Sequence, residues 1–319
     1  MQSFGADAES VLSASSSSSQ GRTAAAFAAI YLLWGGTYLA IALGLRSIPP
    51  FLLIAMRSLL GGAALFAYSR SKGSDLRSWP DWAKAALSGA LLFIGCHGAL
   101  AYAQRVVPSG LAAILLATIP FWIVLINAVT GQKEPPLKIV GLIPGFAGVT
   151  LIAWHEVSDR QGHTPILMIA LLLASSLSWA VGSVYAQRKA AHIPPRDLAS
   201  MQLICGGCGL LILSLVAGEW ASFSPRQVSM ISLAGLLYLG LLGSALGNTA
   251  YLWLLDRLPA PIVATYTFVN PVIAVALGVI VLGERLTAQV LIGAALVLAS
   301  VAALLSVSYA ESRLGRRDT

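Results

Sequence analysis

Arg57 and His97 are the two ionisable side chains of this 319-residue chain that stand inside long apolar runs. A charged or titrating group is costly in hydrocarbon and is kept where it meets a partner or a water-filled path. Arg57 lies about seven residues into its run, roughly 10 Å at 1.5 Å per residue. Two readings fit it: a guanidinium that holds an anionic group such as a carboxylate, or a side chain that snorkels outward or rests on helix-end carbonyls. His97, in GCHGAL, is followed seven residues later by Gln104, two turns along the same face. They form a polar stripe along a solute path, unless His97 only bonds a neighbouring backbone carbonyl. Its charge can change near neutral pH, which permits proton coupling without demanding it.

The remaining candidates are amides and aromatics. Asn248 and Tyr251 are three apart and Tyr266 and Asn270 four apart, so each pair shares a helix face. Trp34 with Tyr38, and Trp179 with Ser183, recur at a spacing of four; they line a cavity or anchor in the headgroup belt. Gln202 stands 145 residues after Arg57, so matched points are basic in one place and neutral in the other. Pro120 and Pro271 each deny a helix one N–H and disfavour the α region just before them. Both are expected to open their helices, with Trp122 one turn beyond Thr118, or else merely to bend them for packing.

Catalytic signatures are missing: the sequence has no HExxH, GxSxG or GxxxxGK, and the chain reads as neither an enzyme nor a cofactor or metal protein. Cys205 and Cys208 form a CxxC inside an apolar run, beside Gly206, Gly207 and Gly209. They read as small packing residues that let helices approach, and Cys96 reads the same way. No Asp or Glu falls clearly at mid-membrane, so no carboxylate relay is visible. That leaves uniport, facilitated export or a modest proton link.

The elements that position these residues follow from composition. With 57% hydrophobic and 10% charged residues and a mean hydropathy of +0.79, the chain belongs in a lipid bilayer. Uncharged runs at 23–45, 85–104, 106–132, 164–187, 198–218, 227–255, 258–283 and 286–310 reach the roughly 20 residues a crossing helix needs. Stretches 50–69 and 137–154 complete a set of ten transmembrane helices. A barrel would alternate instead, so the fold class is an all-α membrane protein. Residues 1–22, with a serine run at 15–19, read as a disordered tail, and 310–319 as a basic one.

Trp34, Tyr102, Pro120 and Glu134 are echoed by Trp179, Tyr251, Pro271 and Glu284, at offsets of 145, 149, 151 and 150. One unit is used twice, over residues 23–155 and 164–309. With the amino terminus in the cytoplasm, fourteen of the twenty Lys and Arg fall on that side, five on the other, and Arg57 within a span. The positive-inside rule therefore puts both termini in the cytoplasm and accounts for the net charge of +7 without a nucleic-acid partner. Five-helix units that enter from opposite faces are inverted repeats, an arrangement that sets a substrate site near the midplane.

The segments WGGTYLAI, IPPFLLIAMR, SWAVGSVYAQR, LGSALGNTAYLWLL, ATYTFVNPVIAVALG and the GER of Gly283–Arg285 resemble the EamA family of the drug/metabolite transporter superfamily, over about residues 24–308. The resemblance implies two five-helix EamA repeats, with the first four helices of each surrounding a central cavity and the fifth outside. It implies Trp34, Arg57, His97, Trp179, Tyr266 and Asn270 on or near that cavity. It also implies export of amino acids, other metabolites or drug-like solutes through a bacterial inner membrane. The chain departs from the family where Gly131 is followed by Gln132 rather than an acid, and at Gln104–Arg105. A channel-like protein or an importer of the same solutes is the alternative.

Overall fold

The computed structural model describes residues 21–76, 78–132, 135–158, 164–255, 257–258, 263 and 266–314. Expectations for Glu134, for residues 1–20 and for 315–319 lie outside the described residues. In chain order the helices are α1 (Gly21–Gly44), α2 (Pro50–Ser71), α3 (Trp79–Ala103), α4 (Ser109–Val129) and α5 (Pro136–Ser158), then α6 (Ile166–Lys189), α7 (Pro195–Val216), α8 (Met230–Tyr251), α9 (Tyr266–Leu282) and α10 (Ala288–Leu314). No strand occurs among the described residues. Seven of these helices are long and apolar enough to cross a membrane. The apolar parts of α5, α9 and α10 are shorter, at Pro136–Ile152, Val269–Leu282 and Ala288–Leu304. Helix α1 starts at Gly21 and α10 ends at Leu314, so both reach into the segments expected as tails.

Packing orders eight helices into a closed ring: α1, α8, α2, α7, α3, α6, α4, α9 and back to α1. Every neighbouring pair joins a helix from residues 23–155 to one from residues 164–309. The sequence repeats therefore interleave and are not two bodies side by side. Helices α5 and α10 pack chiefly on each other and touch the ring sparingly. Apolar side chains such as Ile143, Val216 and Ile280 point outward and are exposed, as lipid contact allows and water would not.

Glycines set the closest crossing. An added Cβ at Gly62 would meet Ile204 and Leu203 at 3.0–3.1 Å, and one at Gly207 would meet Leu59 at 2.9–3.2 Å. These contacts are reciprocal, because Leu59 and Gly62 are matched to Ile204 and Gly207 at the offset of 145. As α2 runs from Leu59 to Gly62 its partner runs back from Gly207 to Ile204, so α2 and α7 are antiparallel. Neighbouring Gly61 presses on Gly240 and Ser244 of α8, and Gly206 on Gly89 and Phe93 of α3. Small residues let backbones approach where lipid supplies no hydrophobic drive between helices.

The repeat also shows in irregular backbone. Helices α3 and α8 both widen into π-helical segments, Ala90–Gly98 and Tyr238–Leu246, nine residues each and 148 apart. The left-handed glycines pair likewise, Gly73 with Gly218 and Gly131 with Gly283, all at φ between 68° and 81°. That conformation is costly for a residue with a Cβ. Pro49–Pro50 and Pro194–Pro195 start α2 and α7, where a missing N–H costs nothing.

The two prolines expected to open helices behave differently. Pro120 stands just after a break, since α4 divides into Ser109–Leu116 and Ile119–Val129. Pro271 lies inside the continuous helix Tyr266–Leu282, so the expected opening there is not seen. Buried Asn270 closes that stretch: its amide nitrogen faces the carbonyls of Tyr266 and Tyr31, each at 3.3 Å.

Candidate functional site

Three rings meet where α1, α8 and α9 adjoin. Trp34 lies 5.2 Å from Tyr251 and 4.8 Å from Tyr266, centroid to centroid, and the two tyrosines are 5.9 Å apart. The tilted and edge-to-face geometries suit aromatic quadrupoles. Trp34 Nε1 donates to the Gly243 carbonyl at 2.9 Å, in the π-helical part of α8. The kink that presents Trp34 comes from its own WGG segment: α1 turns at Gly36, and the Tyr238 hydroxyl lies 3.0–3.1 Å from the carbonyls of Leu33 and Leu32. Tyr251 and Tyr266 flank the α8–α9 connection, so this cluster lies toward that end of the ring.

Helices α2, α3, α6 and α7 line an open cavity of about 400 Å³, beside the α3–α4 connection. Its walls are Phe51, Ile94, Gly95, Ala99, Tyr102, Leu171 and Leu213, nearly all apolar. Tyr102 stacks on Phe51 at 5.8 Å, and the Arg105 guanidinium lies over the Tyr102 ring at 5.3 Å. Five residues deeper, His97 stacks on Phe93 at 5.4 Å and meets Trp179 edge-on at 5.1 Å. His97 Nδ1 donates to the Leu92 carbonyl at 3.0 Å. In the neutral ring that bond puts the proton on Nδ1 and leaves Nε2 as an acceptor.

Arg57 is 5% exposed and no carboxylate pairs with it among the described residues. Its Nε donates to Ser244 Oγ at 3.4 Å, a long bond, and its Nη1 has no hydrogen-bond partner. Tyr38, Cys96 and His97 lie within electrostatic range of it. Gln104, 8% exposed, donates from Nε2 to the Tyr38 carbonyl at 3.1 Å, while its Oε1 is unpartnered. Among the described residues, the hydroxyls of Ser58 and Ser69 are the other buried side-chain polar atoms without a partner.

Of the other sequence candidates, Trp122 and Gln202 tie helices together and Asn248 bonds within its own helix. Trp122 Nε1 donates to Ser176 Oγ at 2.8 Å, next to Thr118 at the α4 break. Gln202 donates to Ser88 Oγ at 2.9 Å, where Gly89 lets α7 touch α3. Asn248 donates to the Ser244 carbonyl one turn back.

The geometry is matched by kinship. The profile of the EamA-like transporter family fits residues 22–154 and 166–306, one copy on each repeat. The chain belongs to the EamA-like transporter family. Among similar proteins, this transporter is 34% identical to "Uncharacterized inner membrane transporter YedA" of Escherichia coli (strain K12), over 81% of this chain and 82% of that one. It is 30% identical to "Uncharacterized transporter YvbV" of Bacillus subtilis (strain 168), over 91% and 93%. The "Probable amino-acid metabolite efflux pump" of Salmonella typhimurium is 27% identical, over 85% and 91%. A solved crystal structure shares the fold of the transporter at a TM-score of 0.62 and 21% identity, covering 89% of this chain and 96% of that one.

Two acids that sequence reasoning set aside as helix-end residues or did not weigh turn out to join the repeats. Glu284 accepts from the Ser109 backbone N–H and hydroxyl, both at 2.7 Å, and from the Gly110 N–H at 3.0 Å, so it caps α4 from the α9–α10 connection. Glu219 caps α2 from beyond α7, through the N–H groups of Phe51 at 3.1 Å and Leu52 at 2.9 Å. A carboxylate complements the positive end of a helix. For Glu284 the Gly-Glu pair of the resemblance was the available signal.

Proposed function

We propose that this transporter exports small organic solutes, amino acids or metabolites of similar size, across a bacterial inner membrane by alternating access. In this reading the three shorter apolar helices also cross the bilayer, giving ten spans in two inverted five-helix repeats with both termini cytoplasmic. The charge asymmetry and the antiparallel, reciprocal crossing of α2 and α7 support it. The path runs through the ring, past Trp34, Tyr38, Arg57, His97, Tyr102, Trp179 and Tyr266, with the break before Pro120 as a hinge.

One observation carries the reading: matched residues make unmatched contacts. Trp34 and Tyr251 are packed together with Tyr266, whereas their repeat partners Trp179 and Tyr102 contact His97 and Phe51 instead beside an open cavity. In one repeat these rings pack against each other, and at the matched place in the other they border a cavity. An inverted pair of units that exchanges these two arrangements moves the opening from face to face. Of the similar proteins, the efflux pump's name carries the amino-acid reading.

A growth screen of an overexpressing strain against amino acids and toxic analogues tests it. Raised tolerance to at least one such compound, with matching efflux from preloaded cells, is the expected result. Unchanged tolerance across the set, together with no flux in proteoliposomes, overturns the reading.

A further inference from the structure

Where α3 starts, three ionisable side chains drawn from both repeats meet. His192, in the α6–α7 connection, has its Nε2 2.8 Å from Asp81 Oδ1. Lys84 Nζ lies 3.3 Å from that same oxygen and 3.4 Å from His192 Nε2. The repeat offsets give each of the three a counterpart. Ser47 stands 145 residues before His192, and Ser229 and Ser232 stand 148 after Asp81 and Lys84; these are the offsets of Trp34 to Trp179 and of the two π-helical segments. The counterparts meet as well: the Ser229 N–H donates to Ser47 Oγ at 3.0 Å, and the Ser229 and Ser232 hydroxyls are 3.0 Å apart. One joint is thus built twice. Because α2 and α7 are antiparallel, the connections that lead into them lie at opposite ends of the ring. At one end the joint is made of serines, which stay neutral, and at the other of a carboxylate, an ammonium and an imidazole.

The other charges around His192 have their own places. Asp197 of α7, a buried acid, is held by Ser74 at 2.9 Å and by Arg196 at 3.4 Å. Arg70 of α2 donates to the Ser74 carbonyl at 2.8 Å, and Lys72 lies over the Tyr68 ring. Arg188 of α6 reaches Asn127 and Thr130 at the end of α4; Lys189 closes α6, and Asp75 lies in the α2–α3 connection. Asp81 is the carboxylate that His192 meets, and the imidazole is 54% exposed, so protons reach it from water. A histidine changes charge between about pH 5 and 8, and gaining that charge makes its bond to a carboxylate a charge-assisted one. Lys84 opposes the second positive charge and holds the gain to that of an exposed pair.

We propose that Asp81, Lys84 and His192 form a pH-operated latch at one end of the ring. Protonated His192 holds the start of α3 against the α6–α7 connection. As pH rises through the histidine range that hold weakens, while the serine joint at the other end keeps its strength. The inference rests on the transporter reading and adds regulation to it. By the charge tally the latched end is the cytoplasmic one, so an acidified cytoplasm keeps the path shut on that side and slows export.

Distances report the latch without any solute. The full-length protein, with Cys96, Cys205 and Cys208 replaced by serine, takes spin labels at Ala83→Cys and Ala191→Cys for the ionisable joint, or at Arg46→Cys and Met230→Cys for the serine joint; all four sites are exposed. In nanodiscs, the ratio of short to long separations at the first pair should fall about two- to fivefold between about pH 5 and 8, the size of an exposed charge pair. The second pair should not respond. His192→Gln should flatten the response, and His192→Lys, whose charge is fixed, should keep the first pair short across the range. A first-pair ratio that ignores pH, or a pH response that survives His192→Gln, overturns the latch. A pH-dependent ratio in a protein that moves no solute in proteoliposomes upholds the latch while the transport reading fails. Solute flux with a pH-independent ratio leaves that reading in place and removes the latch.

Discussion

Trp34 and Trp179 hold the same place in two copies of one unit and have different neighbours. Trp34 is tied by its indole N–H to Gly243 and by its face and edge to two tyrosines. Its replacement therefore separates two effects. Trp34→Phe keeps the ring contacts and loses a hydrogen bond worth about 1 kcal/mol net, so efflux from preloaded cells falls about two- to fivefold. Trp34→Leu also loses aromatic pairs worth about 0.5–1.5 kcal/mol each, and efflux falls at least about tenfold. Wild-type efflux by the leucine variant would mean that the aromatic closure has no part in transport. At this scale the sequence shows residue types and depths but not partners. Tyr102, matched to Tyr251, faces Phe51 and an open cavity, because the contacts of a side chain depend on helices far away in the chain.

Helix by helix, stability rests on close crossings and on caps supplied from elsewhere. Gly207→Leu drives a side chain into Leu59, whose backbone N–H would be 3.2 Å from the new Cβ; the expected result is little folded protein after detergent extraction. Gly21→Ala meets nothing within 4 Å and should leave the melting temperature unchanged. Glu219→Gln and Glu284→Gln keep an acceptor but remove the charge from a helix start. Each should cost about 1–2 kcal/mol, seen as a lower melting temperature, and unchanged melting in both would show the caps to be unimportant. The apolar runs were legible in the sequence because they are local. The caps were not, since Glu219 and Glu284 act on helices about 170 residues earlier. Nor was the contrast between Pro120 and Pro271, which depends on what packs against each proline.

Across the molecule, the two repeats share every joint of the ring. Every joint of the ring is a joint between repeats, and Ser109 with Glu284 lies on one of them. With Cys96, Cys205 and Cys208 replaced, a disulfide between Ser109→Cys and Glu284→Cys should lower efflux at least about tenfold, and a reductant should restore it. Unaltered efflux from fully cross-linked protein would mean that α4 and α9 stay together throughout the cycle. Reporter fusions should place both termini on the cytoplasmic side; a reporter active outside at either end would reverse the sidedness read from the charge tally. The two-fold character of the chain was written in its offsets, but the alternation of the ring was not, because offsets give correspondence and only packing gives adjacency.

The two wide turns of α3 and α8 separate what the repeats share from what they do not. A π-helical segment bonds i to i+5 and so holds more residues per turn than an α-helix. Here both copies have it, nine residues long and 148 apart, yet the residues within it differ, ALLFIGCHG against YLGLLGSAL. The widened turn is therefore common to both repeats while the side chains on it are not: one carries the His97 imidazole and the other the Ser244 hydroxyl, so the same bend offers a ring on one side of the ring of helices and a small hydrogen-bonding group on the other.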